Sequence, residues 1–330
     1  MGMRQFRAFV TTETSKNTFN YSIQKRNLAD LPKGDLLIKV QYSSLNYKDA
    51  LSANGNKGVT KKYPHTPGID AVGIVKESKN KNFPINSSVI VSGYDLGMNT
   101  PGGFSEYIRV PSSWAVIKPS LLTSQHSMAI GTAGLTAGLC LKAIQDKKSI
   151  KGISAIVSGA TGGVGSISVA LLSKLGANVT AVTGKKNSHQ FLKNLGAQKV
   201  IDRNQFLESV RRPIGKGLWD AAIDVAGGET LTSILCSIKY GGIVTCCGLV
   251  DDANFETSIF PFILRANQLI GIDSAEAELS IKKEIWELFS NVWKLNNLDQ
   301  LTHTVNLEKL SSEINKILSG NQNGRVIIKI

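Results

Sequence analysis

Between about residues 151 and 274 the chain alternates two hydrophobic periods. Short β-type apolar runs at 155–158, 179–183, 199–201, 221–225, 243–247 and 269–272 are separated by stretches with helical spacing. In the first of these stretches Val164, Ile167, Leu171 and Leu175 recur every third or fourth position, which predicts an amphipathic helix. Strands alternating with helices predict a parallel, doubly wound sheet whose ligand lies at the carboxyl ends of the strands. Before about residue 122 the pattern changes. Runs at 36–40, 73–76, 89–91 and 105–110 are broken by clusters of Gly, Pro and Asn, as in an irregular, mostly β domain. Residues 275–295 read as a long helix finishing the doubly wound domain. The tail, a helix near 307–318 and a strand at 325–330, is expected to return to the β domain. The predicted fold class is α/β, with a β domain of residues 1–122 and 297–330 and a doubly wound domain of 123–296. A cleft between two such domains is where a small ligand would sit.

The run Gly159-Ala160-Thr161-Gly162-Gly163-Val164-Gly165 lies between the first strand and the helix. Missing Cβ atoms let the backbone approach a pyrophosphate, and the helix N-terminus offers it free N–H groups. A tight turn without a ligand is the plainer reading. The second strand follows at the distance expected for the residue that reads the adenine ribose. A carboxylate there would accept hydrogen bonds from a 2′-hydroxyl, but the tip reads Thr183-Gly184-Lys185-Lys186. A hydroxyl with cations suits a 2′-phosphate, which a carboxylate would repel. Arg203, after the next strand, is placed to close on the same group. The cofactor expected is NADP(H); the alternative is that both lysines are solvated loop charges.

Composition adds exclusions. At 330 residues, 42% hydrophobic and 19% charged, the chain is long enough for two packed domains. No uninterrupted apolar run approaches ~18 residues, so no transmembrane helix and no membrane partner are expected. Residues 1–10 lack the apolar core of a secretory signal, which leaves the cytoplasm as the expected compartment. Cys140, Cys236, Cys246 and Cys247 form no C-x-x-C pair and read as buried structural thiols. The net charge of +13 is spread over short pairs such as Lys61-Lys62 and Lys282-Lys283 rather than a stripe with aromatics. Nucleic acid is therefore not the expected partner; attraction of anionic ligands is a secondary benefit.

Over nearly its whole length the chain resembles the medium-chain dehydrogenase/reductase superfamily. The resemblance rests on Ser44-Leu45-Asn46-Tyr47-Lys48-Asp49, Pro67-Gly68-Ile69-Asp70, Gly102-Gly103-Phe104-Ser105-Glu106-Tyr107, Gly131-Thr132-Ala133-Gly134-Leu135-Thr136-Ala137 and the glycine turn. With Thr183-Gly184-Lys185, Pro261-Phe262-Ile263-Leu264-Arg265 and Gly271-Ile272-Asp273-Ser274, it is most similar to bacterial quinone oxidoreductase-like enzymes that include acrylyl-CoA reductases. The resemblance implies a GroES-like β domain, a Rossmann domain and a homodimer formed through the latter. Zinc relatives hold their catalytic metal with Cys, His and Cys. At the matching places stand Asn46, Ile69 and Thr132, which form no competent zinc set. Without a Lewis acid, a substrate that already carries an activated acceptor is favoured. The implied reaction is NADPH-dependent reduction of an activated C=C bond, most specifically acrylyl-CoA to propionyl-CoA. General quinone or enone reduction, and redox-inactive NADPH binding, are the alternatives.

The same resemblance nominates residues. Tyr47 is the main catalytic candidate, as hydrogen-bond donor or as a wall against the ribose. Asn46 takes a vacated zinc-ligand place, and Asp49 is expected to anchor neighbouring backbone N–H groups. Thr132 and Thr136 either approach the nicotinamide or cap a helix. Thr161, Gly162, Gly163 and Val164 fall on the pyrophosphate, and Thr183, Gly184, Lys185 and Arg203 on the 2′-phosphate. Leu249, Ile263 and Ser274 fall near the nicotinamide half. Lysine at 185, where relatives often carry Arg, keeps the charge but loses bidentate geometry. The segment Gly320-Asn321-Gln322-Asn323-Gly324-Arg325 resembles one that closes over the cofactor, although Gly320 departs from the expected side-chain amide.

Overall fold

The computed structural model describes residues 5–210 and 213–330 and divides into two compact units. The first runs to Thr132 and takes up Ala275–Lys294 and Leu298–Ile330; the second comprises Ala133–Ser274 with Leu295–Asn297.

The first unit is built on a seven-stranded sheet. Its order is Thr302–Asn306, Arg325–Lys329, Leu36–Leu45, Asp70–Ser78, Ser88–Ser92 and Ala115–Ile117, with Tyr107–Val110 paired separately to Leu36–Leu45. Pairing is antiparallel except between Thr302–Asn306 and Arg325–Lys329. One core gathers Leu36, Ile38, Val75, Val89 and Ile108, and another joins Phe9, Leu45, Phe104, Leu310 and Val326. A hairpin, Gln5–Ser15 with Thr18–Asn27, lies outside the strands expected from the sequence. Phe19, Tyr21 and Ile23 alternate with polar residues in its second strand, although that strand buries no residue.

The second unit holds a six-stranded, all-parallel sheet in the order Lys199–Asp202, Asn178–Thr183, Ser154–Val157, Trp219–Asp224, Ile238–Cys246, Gln268–Gly271. Every strand predicted for it forms. Two details depart from expectation. The helix Gly163–Lys174 is not amphipathic: Gly165 through Leu172 are all buried, as suits a central helix. Cys246 and Cys247 are partly exposed rather than buried, because they stand where their strand ends at the carboxyl edge of the sheet.

The helix Leu279–Ser290 belongs to the first unit, not to the doubly wound domain where alternation alone puts it. Its buried Lys282 is the reason. The ammonium lies 3.4 Å from the Tyr94 ring centroid and donates to the carbonyls of Ser92 and Ala275 at 2.9 and 2.7 Å. Sequence also predicted no segment able to span a membrane. Ser124–Gln145 is long and apolar enough by composition, but 78% of its most apolar window is buried within the fold.

That helix is broken at Gly131, with φ +50° and ψ −158°, a conformation essentially reserved for glycine. A Cβ there would also meet Arg325 Nη2 and Ser44 Oγ at 2.7 Å and Asp70 Oδ2 at 2.8 Å. Gly131→Ala is expected to cost about 2 kcal/mol or more. Urea denaturation checks this; an unchanged midpoint would mean the site relaxes freely.

Candidate active site

The three positions that hold zinc in related enzymes converge here on hydrogen bonds instead. Asn46 Nδ2 donates to Asp70 Oδ2 at 2.8 Å and to Asp49 Oδ2 at 3.1 Å. Thr132 donates to Asp70 through its hydroxyl at 2.7 Å and through its backbone N–H. Ile69 is buried, and its N–H donates to Asp49 Oδ1 at 2.8 Å. Ser44 Oγ adds a further donor to Asp70 at 2.7 Å. The charge balance comes from Arg325. Its fully buried guanidinium lies 4.0 Å from Asp70 Oδ2 and donates to Ser44 Oγ, Asn46 Oδ1 and the carbonyls of Leu45 and Ala129. Arg325, expected in a segment over the cofactor, is thus an interior cation of the first unit.

This network fixes the start of the helix Tyr47–Ala53. Asp49 accepts the Asn46 backbone N–H at 2.8 Å and the Gly68 N–H at 3.2 Å, so its carboxylate ties the helix start to the turn at 68–69. Tyr47, on the first helical turn, is 39% exposed, and its hydroxyl makes no hydrogen bond among the described residues.

In the second unit Gly159 takes φ +53°, and a Cβ on Gly165 would lie 2.3 Å from the Gly159 carbonyl oxygen. Helix and strand therefore meet more closely than any side chain allows, and Thr161, Gly162, Gly163 and Val164 are carried at the helix start. Beside this turn, buried Ser158 donates to Asp224 at 2.6 Å and accepts the N–H groups of Val225 and Ala226, which fixes the end of the adjacent strand. Burial pushes the Asp224 carboxyl above its ordinary range. At the ribose tip the structure brings Thr183, Gly184, Lys185 and Arg203 together: a Cβ on Gly184 would touch the Arg203 guanidinium at 3.8 Å. The Thr183 hydroxyl accepts the Lys185 N–H at 3.1 Å, and burial lowers the half-buried Lys185 ammonium. Asp202, the nearest acid in sequence, caps the helix Arg203–Ser209 by accepting the N–H groups of Asn204 and Gln205. Thr136 donates to Ser274 at 2.7 Å. Leu249 and Ile263 are 62% and 65% exposed, so the second unit alone encloses neither.

Asp70 and Arg325 escaped the residue-level reading. Asp70 lies within the motif Pro67-Gly68-Ile69-Asp70 and Arg325 within the segment that resembles one closing over the cofactor; a basic residue beginning an apolar strand, Arg325-Val326-Ile327-Ile328, is the signal the sequence offers. Among the described residues, no group of three or more His, Cys, Asp or Glu is placed to hold a metal.

Known proteins agree with this architecture. Residues 32–120 match the alcohol dehydrogenase GroES-like domain, and residues 163–291 match the zinc-binding dehydrogenase family. The acrylyl-CoA reductase AcuI of Ruegeria pomeroyi is 34% identical over 94% of this chain and 94% of its own. YhfP of Bacillus subtilis, which carries a quinone oxidoreductase name, is 37% identical over 98% of this chain and 99% of its own. The yhdH oxidoreductase of Salmonella enterica, solved with NADP, superposes with a TM-score of 0.94 at 36% identity, covering 98% of this chain and 99% of that one. The fold and both units are those of a dehydrogenase/reductase. The chain belongs to the medium-chain dehydrogenase/reductase superfamily, in its quinone oxidoreductase-like branch with the acrylyl-CoA reductases. It is an oxidoreductase.

The buried network has a pH signature. One guanidinium faces two carboxyls, and burial, reinforced by the Asp70 charge, pushes Asp49 up to about 7 from an ordinary 3.8. The folded state then holds a proton that the unfolded state has released. The stability it confers is complete below about pH 3.8, falls as pH rises toward 7 and is flat above that. Asp49→Asn, which cannot titrate, should be less stable throughout, because its NH2 faces N–H donors, and should lose this slope. Denaturation midpoints of both proteins between pH 5 and 8 test it; parallel curves would assign the slope elsewhere.

Proposed function

We propose that the protein is an NADPH-dependent, zinc-independent reductase of activated carbon–carbon double bonds, with acrylyl-CoA to propionyl-CoA as its specific reaction. The observation that carries the cofactor half is the ribose tip. Thr183, Lys185 and Arg203 surround Gly184, while Asp202 is consumed as a helix cap. A hydroxyl and two cations around an open glycine fit a 2′-phosphate. The side-chain-free backbone at 162–163 suits the pyrophosphate beside it. Thr161 and Val164 flank that backbone, and Thr136, Ser274, Leu249 and Ile263 are assigned to the nicotinamide half. The names of AcuI and of the NADP-bound yhdH protein support the same reading.

Bound NADPH supplies the hydride that the β-carbon accepts, leaving an enolate that needs hydrogen-bond donors and a proton at the α-carbon. Tyr47 is the assigned donor: its hydroxyl is exposed and unengaged, on a helix start held rigid from beneath. Asn46 and Asp49 position it. Asn46, Ile69 and Thr132 offer zinc neither thiolate nor imidazole, so elemental analysis should find far less than one zinc per chain.

A homodimer through the second unit completes the proposal. Gln268–Gly271 ends the parallel sheet as an edge strand, and Tyr240, Leu249, Ile263 and Leu264 are exposed in the same unit. Sedimentation should show two chains per particle.

Side-by-side NADPH-oxidation assays with acrylyl-CoA, crotonyl-CoA and a simple quinone test the substrate. Fast quinone turnover with none of either thioester would select general quinone or enone reduction, the reading that the YhfP name favours. No turnover of any acceptor would leave a redox-inactive NADPH-binding protein. Tyr47→Phe should lower kcat by about 10²-fold or more; a changed KM for NADPH with kcat intact would make Tyr47 a wall. Lys185→Ala should weaken NADPH binding by about 1–3 kcal/mol and barely affect NADH.

A further inference from the structure

A carboxylate that contacts Arg203, one of the proposed phosphate cations, is supplied from across the sheet. Asp251, in the loop after the strand Ile238–Cys246, places Oδ1 at 3.5 Å from Arg203 Nη1. Its position is built rather than incidental. The Asp251 N–H donates to the Ala226 carbonyl at 2.8 Å, and Asp252 forms a bridge to Gly227. Thr230 donates its hydroxyl to Asp251 Oδ2 at 3.3 Å, leaving Oδ1 for the arginine. Two glycines make room for this approach: Gly227 and Gly228 have φ +74° and +52°, and Cβ atoms on them would meet the Asp252 carbonyl oxygen at 2.3 Å and Asp251 Oδ2 at 3.3 Å.

We infer that Asp251 is a specificity-determining residue that restrains the preference for NADPH over NADH by holding Arg203 and opposing the 2′-phosphate. This rests on the proposed assignment of Thr183, Lys185 and Arg203 to that phosphate. The carboxylate acts twice. Arg203 must exchange it for the phosphate, and the long, half-exposed contact makes that exchange inexpensive. Its negative charge then remains beside a ligand group carrying nearly two more. A ligand with a bare 2′-hydroxyl meets neither penalty. Asp251 therefore taxes only the phosphorylated cofactor.

Calorimetric titration of the full chain with NADPH, NADH, adenosine 2′,5′-bisphosphate and AMP tests this in wild type, Asp251→Asn, Asp251→Glu and Arg203→Ala. Asparagine can still accept from Thr230, and loss of an exposed pair leaves the fold intact, which an unchanged melting temperature verifies. Asp251→Asn is expected to bind NADPH and the bisphosphate about three- to thirtyfold more tightly, with NADH and AMP within about twofold of wild type. Asp251→Glu, which keeps the charge, should discriminate as wild type does. Unchanged bisphosphate affinity in Asp251→Asn, or equal shifts for the bisphosphate and AMP, would overturn the inference. Failure of the underlying assignment reads differently: Arg203→Ala would then bind the bisphosphate and AMP in the wild-type ratio.

Discussion

The first unit depends on how one buried guanidinium is shared between two buried carboxyls. Arg325 faces Asp70 at 4.0 Å, and the remaining donors of Ser44, Asn46 and Thr132 converge on the same Asp70 carboxylate. Four stretches distant in sequence, 44–49, 68–70, 129–132 and 325, are thereby fixed to one another. Such an arrangement is not itself a large source of stability, because desolvating charges offsets much of their attraction. Its effect is positional. Every alternative packing would strand at least one charge or one polar group without a partner, so the start of the Tyr47 helix has one low-energy position. That is what a hydroxyl needs if it is to meet a reacting oxygen with the right geometry.

The second unit reaches rigidity by close backbone approach. Gly159 and Gly165 let a buried helix begin against the first strand, and Ser158 with Asp224 satisfies the N–H groups that the neighbouring strand leaves at its end. The carboxyl edge of the parallel sheet is thus both irregular in backbone and fully determined. The segments leaving it carry Thr183 to Lys185, Arg203 at the start of a helix, and Asp251, so the proposed cofactor recognition would rest on elements whose own positions are already settled.

The hydrophobic pattern made the parallel sheet legible strand by strand, because buried strands write themselves as short apolar runs. It failed where burial is slight. The strands Thr18–Asn27 and Thr302–Asn306 bury no residue, and neither is among the expected strands, although Phe19, Tyr21 and Ile23 alternate with polar residues in the first. Motif resemblance brought Asn46, Asp49 and Thr132 to attention as separate residues. Their common partners did not follow, since periodicity cannot reveal that an arginine at the start of an apolar strand points inward. Lys282 misled in the same way. A lysine inside a helical pattern reads as surface, yet this one is buried over Tyr94 and carries its helix into the first unit.

Arg325, Lys282 and Arg203 show how packing separates cations held inside the fold from one left open to a ligand. Arg325 is buried and donates to two side chains and two carbonyls, so a ligand gains nothing by competing for it. Lys282 is held by two carbonyls and a ring face in similar surroundings. Arg203 has one long contact to a carboxylate, and nearly half of its side chain is exposed. Replacing that contact with a phosphate strands no buried charge, because water can solvate the released carboxylate. The excess of positive charge on this chain therefore says little by its size. What matters is that Arg203, a weakly engaged cation, stands beside an open glycine at the end of a parallel strand, where the proposed anionic ligand would displace little.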